Sequence, residues 1–158
     1  MTMPLNLVLV RHGESEGNVA TGRSKAGDHS DYRGEFMTRH NSLWRLTDKG
    51  IWQAKNAGEW IRENIGTDFG RYYTSEFLRA METAHYLQLP EASWYVDFNL
   101  RERDWGVFDH MSREDRERKF AESLKSRKID GFYWRPPNGE SMADLTLRQN
   151  RVNDTLHR

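Results

Sequence analysis

The sequence predicts an α/β fold, with a mostly parallel sheet flanked by helices. Three observations point there. A short apolar run, Leu5 to Val10, ends abruptly at Arg11-His12-Gly13. Strand-like and helix-like patterns then alternate, as expected where helical crossovers join parallel strands. The 158 residues suffice for one domain with its own core.

Leu5 to Val10 reads as the first strand, and Ser15 as the cap of a helix beginning near Glu16. Residues 20 to 45 are rich in Gly, Ser, Asp, Arg and His without period, which predicts a long, mobile loop over a site. Thr47 resembles an N-cap. Ile51, Ala54, Ala57 or Gly58, and Ile61 then recur at helical spacing, and Gly66 suits the helix end. Arg71 to Thr74 is a short strand. A second helix starts at Ser75, with Phe77, Ala80, Met81, Ala84 and Leu87 inward. Trp94 to Phe98 is a third strand. Ser112 with Asp115 predicts a capping box for a helix to about Lys125. Ser141 with Asp144 predicts the same for a final helix bearing Leu145, Val152 and Leu156.

Composition narrows the classes. No cysteine means no disulfide, no thiolate metal site and no thiol nucleophile. Formal charge is zero, so nothing pulls the chain globally towards nucleic acid or a membrane surface. The apolar run near the start is far too short to span a bilayer, and a cytoplasmic setting is the default expectation. Six tryptophans among the aromatics argue against disorder, despite a mean hydropathy of −0.94.

The chemistry concentrates in residues 7 to 15, Leu-Val-Leu-Val-Arg-His-Gly-Glu-Ser. Ligands of open α/β sheets bind beyond the carboxyl ends of strands. Arginine there suits a phosphate, because its planar fork grips two oxygens. An adjacent histidine can serve as nucleophile or as acid and base. Together they suggest phosphoryl transfer through histidine.

Val10-Arg11-His12-Gly13-Glu14-Ser15, followed by Asn18, resembles the signature of the histidine phosphatase superfamily, which includes the cofactor-dependent phosphoglycerate mutases. Further segments fit the same pattern. Leu46-Thr47-Asp48-Lys49-Gly50 is similar to its helix start, and Thr74 to Ala80 with Thr83-Ala84 to its strand-to-helix turn. Leu100 to Gly106 is similar to its acid loop, and Pro136 to Ser141, leading to Asp144 and Arg148, to the turn before its last major helix. The resemblance implies a three-layer αβα sandwich of the phosphoglycerate mutase type. It also implies a mechanism. Arg11, Asn18 and Arg79 bind the phosphoryl oxygens, and a His12 nitrogen attacks phosphorus to give a phosphohistidine. Glu102 protonates the leaving oxygen and then helps activate water, with Asp104 as the fallback acid. Glu140 and Ser141 are expected to be structural. The mechanism needs no cofactor and no metal, and no carboxylate cluster or His-x-x-x-His spacing suggests one.

The family has a second catalytic histidine after another apolar strand beyond the final helix. Here His29, His40, His85, His110 and His157 remain, and none follows an apolar strand. The reading therefore expects residues 1–158 to be a single histidine phosphatase-like domain truncated at its C-terminus, lacking that strand and that histidine. The mutases' basic insertion after the acid loop is absent, which favours phosphomonoester hydrolysis over a mutase or an inactive phosphate-binding member. A small phosphorylated metabolite is the expected substrate, with residues 20 to 45 and 107 to 135 as pocket walls. A homodimer fits a relative of the mutases, and neither nucleic acid nor membrane is an expected partner.

Overall fold

The computed structural model describes residues 6–156. Two compact units emerge. The first holds residues 8–19 and 40–101, and the second residues 6–7, 20–39 and 102–156. Among the described residues no helix is long and apolar enough to cross a membrane.

In the first unit, Thr47 caps helix α2 (Asp48–Asn64) as expected, its hydroxyl accepting from the Gly50 amide at 3.1 Å. The helix buries Gly50, Ala54, Gly58 and Ile61 on one face. Gly66, at φ +100°, ends it and donates to the Ile61 carbonyl at 2.9 Å. Strand β1 (Tyr72–Thr74) pairs in parallel with strand β2 (Trp94–Val96), Tyr72 opposite Trp94 and Thr74 opposite Val96. Helix α3 (Leu78–Tyr86) makes the crossover that a parallel pair requires. It begins three residues later than the sequence suggested. Thr74 and Ser75 end the strand in a buried corner, where the Ser75 hydroxyl accepts from the Phe77 amide instead of capping a helix at its own position. The two helices pack at Gly58, where a Cβ would collide with the Leu87 carbonyl. Arg62 donates to the Leu87 and Gln88 carbonyls at the end of α3, at 2.6 and 3.0 Å.

Three expectations change. Leu5 lies outside the described residues, and residues 6–10 form no strand, with Leu9 83% exposed. A strand exists through its ladder, and only β1 and β2 pair into a sheet among the described residues. Residues 20–45 are not a structureless loop: helix α1 (Glu16–Lys25) enters them, and three 3-10 turns follow at Ser30–Arg33, Glu35–Thr38 and Asn41–Leu43. The Ser24 hydroxyl bonds His29 Nδ1 at 3.0 Å and accepts from the Arg113 amide at 3.0 Å, while His29 Nε2 meets Glu114 at 3.2 Å. The helix after Ser112 also breaks in two, into α4 (Arg113–Lys119) and α5 (Ala121–Ile129). Phe120 sits at the break with φ −128°, and its ring meets Phe108 edge-on at 5.3 Å.

The second unit's core is Phe108, Met111 and Trp134, packed by Trp105, Val107, Phe120 and Leu124. Helix α6 (Met142–Leu156) follows, and its Ala143 amide donates to the Phe132 carbonyl at 3.1 Å. Its capping box forms as the spacing predicted: Ser141 Oγ accepts from the Asp144 amide at 3.1 Å, and the Asp144 carboxylate accepts from the Ser141 amide at 2.8 Å. His157 lies outside the described residues.

Candidate active site

In the first unit the backbone of residues 13–16 is pinned from both helices. The Gly13 amide donates to Thr83 Oγ1 on α3 at 3.3 Å, and the Glu14 amide to Gln53 Oε1 on α2 at 2.8 Å. The Glu14 carbonyl accepts from the Thr47 amide, and the Glu16 amide donates to the Arg45 carbonyl, both at 2.9 Å, around an antiparallel bridge between Ser15 and Leu46. Gly13 and Gly50 allow this approach: a Cβ on Gly13 would strike the Gly50 carbonyl oxygen, and one on Gly50 the Glu14 carbonyl oxygen. The Glu14 carboxylate takes Lys49 Nζ at 3.0 Å and Thr47 Oγ1 at 2.9 Å, and these bonds, Lys49 first, hold its pKa below the ordinary value.

His12 projects from this scaffold. Its Nδ1 lies 2.7 Å from the Gly13 carbonyl oxygen, which can only accept, so Nδ1 carries the proton. Nε2 is then the unprotonated nitrogen, and it accepts from Arg79 Nε at 3.3 Å. Arg79, only 4% exposed, is fixed by a 2.8 Å bond from Nη1 to the Asn41 carbonyl. Thr83, one turn further along α3, returns its hydroxyl to the Arg79 carbonyl at 2.7 Å.

A cavity of about 570 Å³ opens here, lined by Arg11, His12, Gly13, Asn18, Gln53 and Thr83 among others. Arg11 and Asn18 are exposed on its wall, and Asn18 Oδ1 accepts from the Ser15 amide at 3.0 Å. Of the expected site residues, Arg11, His12 and Asn18 thus share one cavity, and Arg79 bonds His12. Within the first unit α2 supplies Gln53, Ala54 and Ala57 to the lining. Sequence reasoning missed them, although small residues at helical spacing are the signal of a helix that leaves room beside it.

Glu102 belongs to the second unit. It is exposed, and its carbonyl accepts from Arg148 Nη2 at 3.4 Å. Beside it, Arg103 donates from Nε to the Glu140 carbonyl at 2.8 Å and stacks over Trp105 at 4.6 Å. Burial, then the nearby Arg127 charge, lowers the Arg103 pKa from the ordinary guanidinium value.

The sequence model of the histidine phosphatase superfamily (branch 1) matches residues 7–158. The chain belongs to that superfamily. Fructose-2,6-bisphosphatase of Saccharomyces cerevisiae is 31% identical over 155 residues, covering 98% of this chain and 30% of that protein. The 2,3-bisphosphoglycerate-dependent phosphoglycerate mutase of Azorhizobium caulinodans is 31% identical over 149 residues, covering 90% of this chain and 63% of that protein. Among solved structures, the α-ribazole phosphatase of Shigella flexneri superposes with a TM-score of 0.74 at 23% identity, covering 94% of this chain and 65% of the other. That likeness gives the α/β fold of the histidine phosphatases to this chain. The chain spans under two thirds of the length of each of these relatives.

Proposed function

We propose that the protein hydrolyses phosphomonoesters of small metabolites, in the cytoplasm, through a phosphohistidine on His12. One observation carries the reading. The Gly13 carbonyl commits the Nδ1 proton, so Nε2 offers its lone pair beside the Arg79 guanidinium. Nε2 attacks phosphorus, the P–O bond to the leaving group breaks, and Glu102 supplies the proton that the departing alkoxide needs. Water then attacks the phosphohistidine, with Glu102 taking its proton, and inorganic phosphate leaves. Arg11, Asn18 and Arg79 hold the three peripheral oxygens, whose charge is the main thing to stabilise. Arg79 can turn its donors from Nε2 to phosphoryl oxygens without leaving its socket, because Nη1 stays on the Asn41 carbonyl.

The test is phosphate release by the whole protein from a panel containing 3-phosphoglycerate, fructose 2,6-bisphosphate and 4-nitrophenyl phosphate, with His12→Ala as control. Release abolished in the control supports hydrolysis at His12. The similarity to the Azorhizobium mutase motivates a second reading, transfer between hydroxyls of one substrate. Isomerisation of 3-phosphoglycerate, primed by bisphosphoglycerate and faster than phosphate release, would select it.

A further inference from the structure

We propose that Glu140 and Arg148 form a positioning device for the loop carrying Glu102. The inference rests on the reading of Glu102 as the acid and adds what holds that acid in place.

The two side chains form a fork. Arg148 Nε donates to Glu140 Oε1 at 3.0 Å, and Nη2 to Oε2 at 2.8 Å. Both ends also reach the acid loop's main chain. Glu140 Oε2 accepts from the Asp104 amide at 3.0 Å, and Arg148 Nη2 donates to the Glu102 carbonyl at 3.4 Å. The pair therefore grips the peptide groups on either side of Arg103. Its side chains are only 15% and 8% exposed. Taking two charges out of water costs roughly what their attraction returns, so apolar residues of like volume would stabilise this spot as well. An apolar pair could not hold an amide and a carbonyl in fixed positions.

The surrounding backbone is shaped for the same task. The Asp104 carbonyl accepts from the Glu140 amide at 2.8 Å, and the Pro137 carbonyl from the Val107 amide at 3.0 Å. Gly106, at φ +55°, and Gly139 let the two loops touch: a Cβ on Gly106 would strike the Pro137 carbonyl oxygen, and one on Gly139 the Asp104 carbonyl oxygen. Glu102 is thus an exposed carboxyl on a main chain fixed from behind. That matters because a misplacement of about 1 Å in a reacting group costs on the order of 10²-fold in rate.

The experiment compares two substrates in the whole protein. Glycerol 1-phosphate has an alkoxide leaving group that needs a proton, whereas 4-nitrophenolate departs without one. If Glu102 is the acid, Glu102→Gln lowers the glycerol phosphate rate relative to the nitrophenyl phosphate rate by about 10²-fold or more. Glu140→Gln and Arg148→Lys, each keeping the side chain's bulk, are expected to lower the same ratio by about tenfold. Amide exchange should quicken at residues 102–106 while residues 11–16 keep their protection. Equal loss on both substrates in the Glu140 and Arg148 variants, with Glu102→Gln still lowering the ratio, overturns the device and leaves the acid assignment standing. An unchanged ratio in Glu102→Gln overturns the assignment and the device together. Global unfolding of both variants also counts against the device, since the pair would then be a stability element.

Discussion

The loop of His12 and the loop of Glu102 are held by different physics. Residues 13–16 hang on hydrogen bonds to Thr83, Gln53 and the main chain of Arg45 and Thr47, and their main chain presses on the first turn of α2 at Gly13 and Gly50. Residues 102–106 share the glycine contacts but add a nearly buried ion pair, Glu140 with Arg148, on their peptide groups. The first arrangement is sensitive to size, because nothing can enter the glycine contact. The second is sensitive to charge, because losing one partner strands the other in a dry place. Neutral bonds carry most of the first loop's main chain, and the Glu14 side chain there adds an exposed ion pair with Lys49 at 3.0 Å. The second loop puts a fixed main chain behind the exposed Glu102 carboxyl, which suits the acid proposed there.

The largest expected effect tests whether the first loop carries the chemistry at all. His12→Ala should lower phosphate release by about 10⁴-fold or more, since the proposed phosphohistidine could no longer form. Arg79→Lys comes next. Lysine keeps the charge but lacks the planar fork that lets Nη1 hold the Asn41 carbonyl while another nitrogen faces the cavity, so a loss of about 10² in kcat is expected. A fall confined to KM would mean that Arg79 binds substrate and transition state equally, and would remove it from the charge-stabilising role.

The sequence disclosed these two loops unequally. Arg11, His12 and Asn18 lie within eight residues, and local spacing alone brought them to one cavity. Arg79 was legible through its strand-to-helix turn. The caps at Thr47, Ser112 and Ser141 were legible too, because a cap is a contact over three residues. Residues 6–10 failed as a strand because a ladder depends on a distant partner, which apolar patterning does not report. The break at Phe120 was hidden for a similar reason: pairing with Phe108, twelve residues earlier, overrides a continuous helical pattern. Glu140 was read as merely structural, since its bond to the Asp104 amide spans 36 residues.

Size sensitivity has its own test. Gly50→Ala forces a methyl into the Glu14 carbonyl, and about 2–3 kcal/mol of destabilisation is expected, as for other overpacked sites. Gly22→Ala is the control. Nothing lies within 4 Å of a Cβ there, and inside a helix the substitution should stabilise by about 0.5–1 kcal/mol. Chemical denaturation of both variants separates a packed glycine from an incidental one. Equal effects would remove close approach as the reason for Gly50.

The smallest effect is on the charge-sensitive side. The Asp144 carboxylate has its pKa lowered from the ordinary 3.8, first by the Ser141 hydroxyl, then by the Ser141 amide and Arg135. A lowered folded-state pKa means that the unfolded chain takes up the proton first. The stabilisation is therefore complete above pH 3.8 and disappears as pH falls below it through the folded-state value. Asp144→Asn removes that titration while keeping a side-chain oxygen for the Ser141 amide. The variant should be less stable than the parent at neutral pH and converge with it in strong acid, read by urea unfolding at several pH values. Because Asp144 opens the helix that carries Arg148, fraying there should also quicken amide exchange at Asp104. Exchange that changes at residues 141–144 but not at Asp104 would show that the grip on the Glu102 loop does not depend on the helix start.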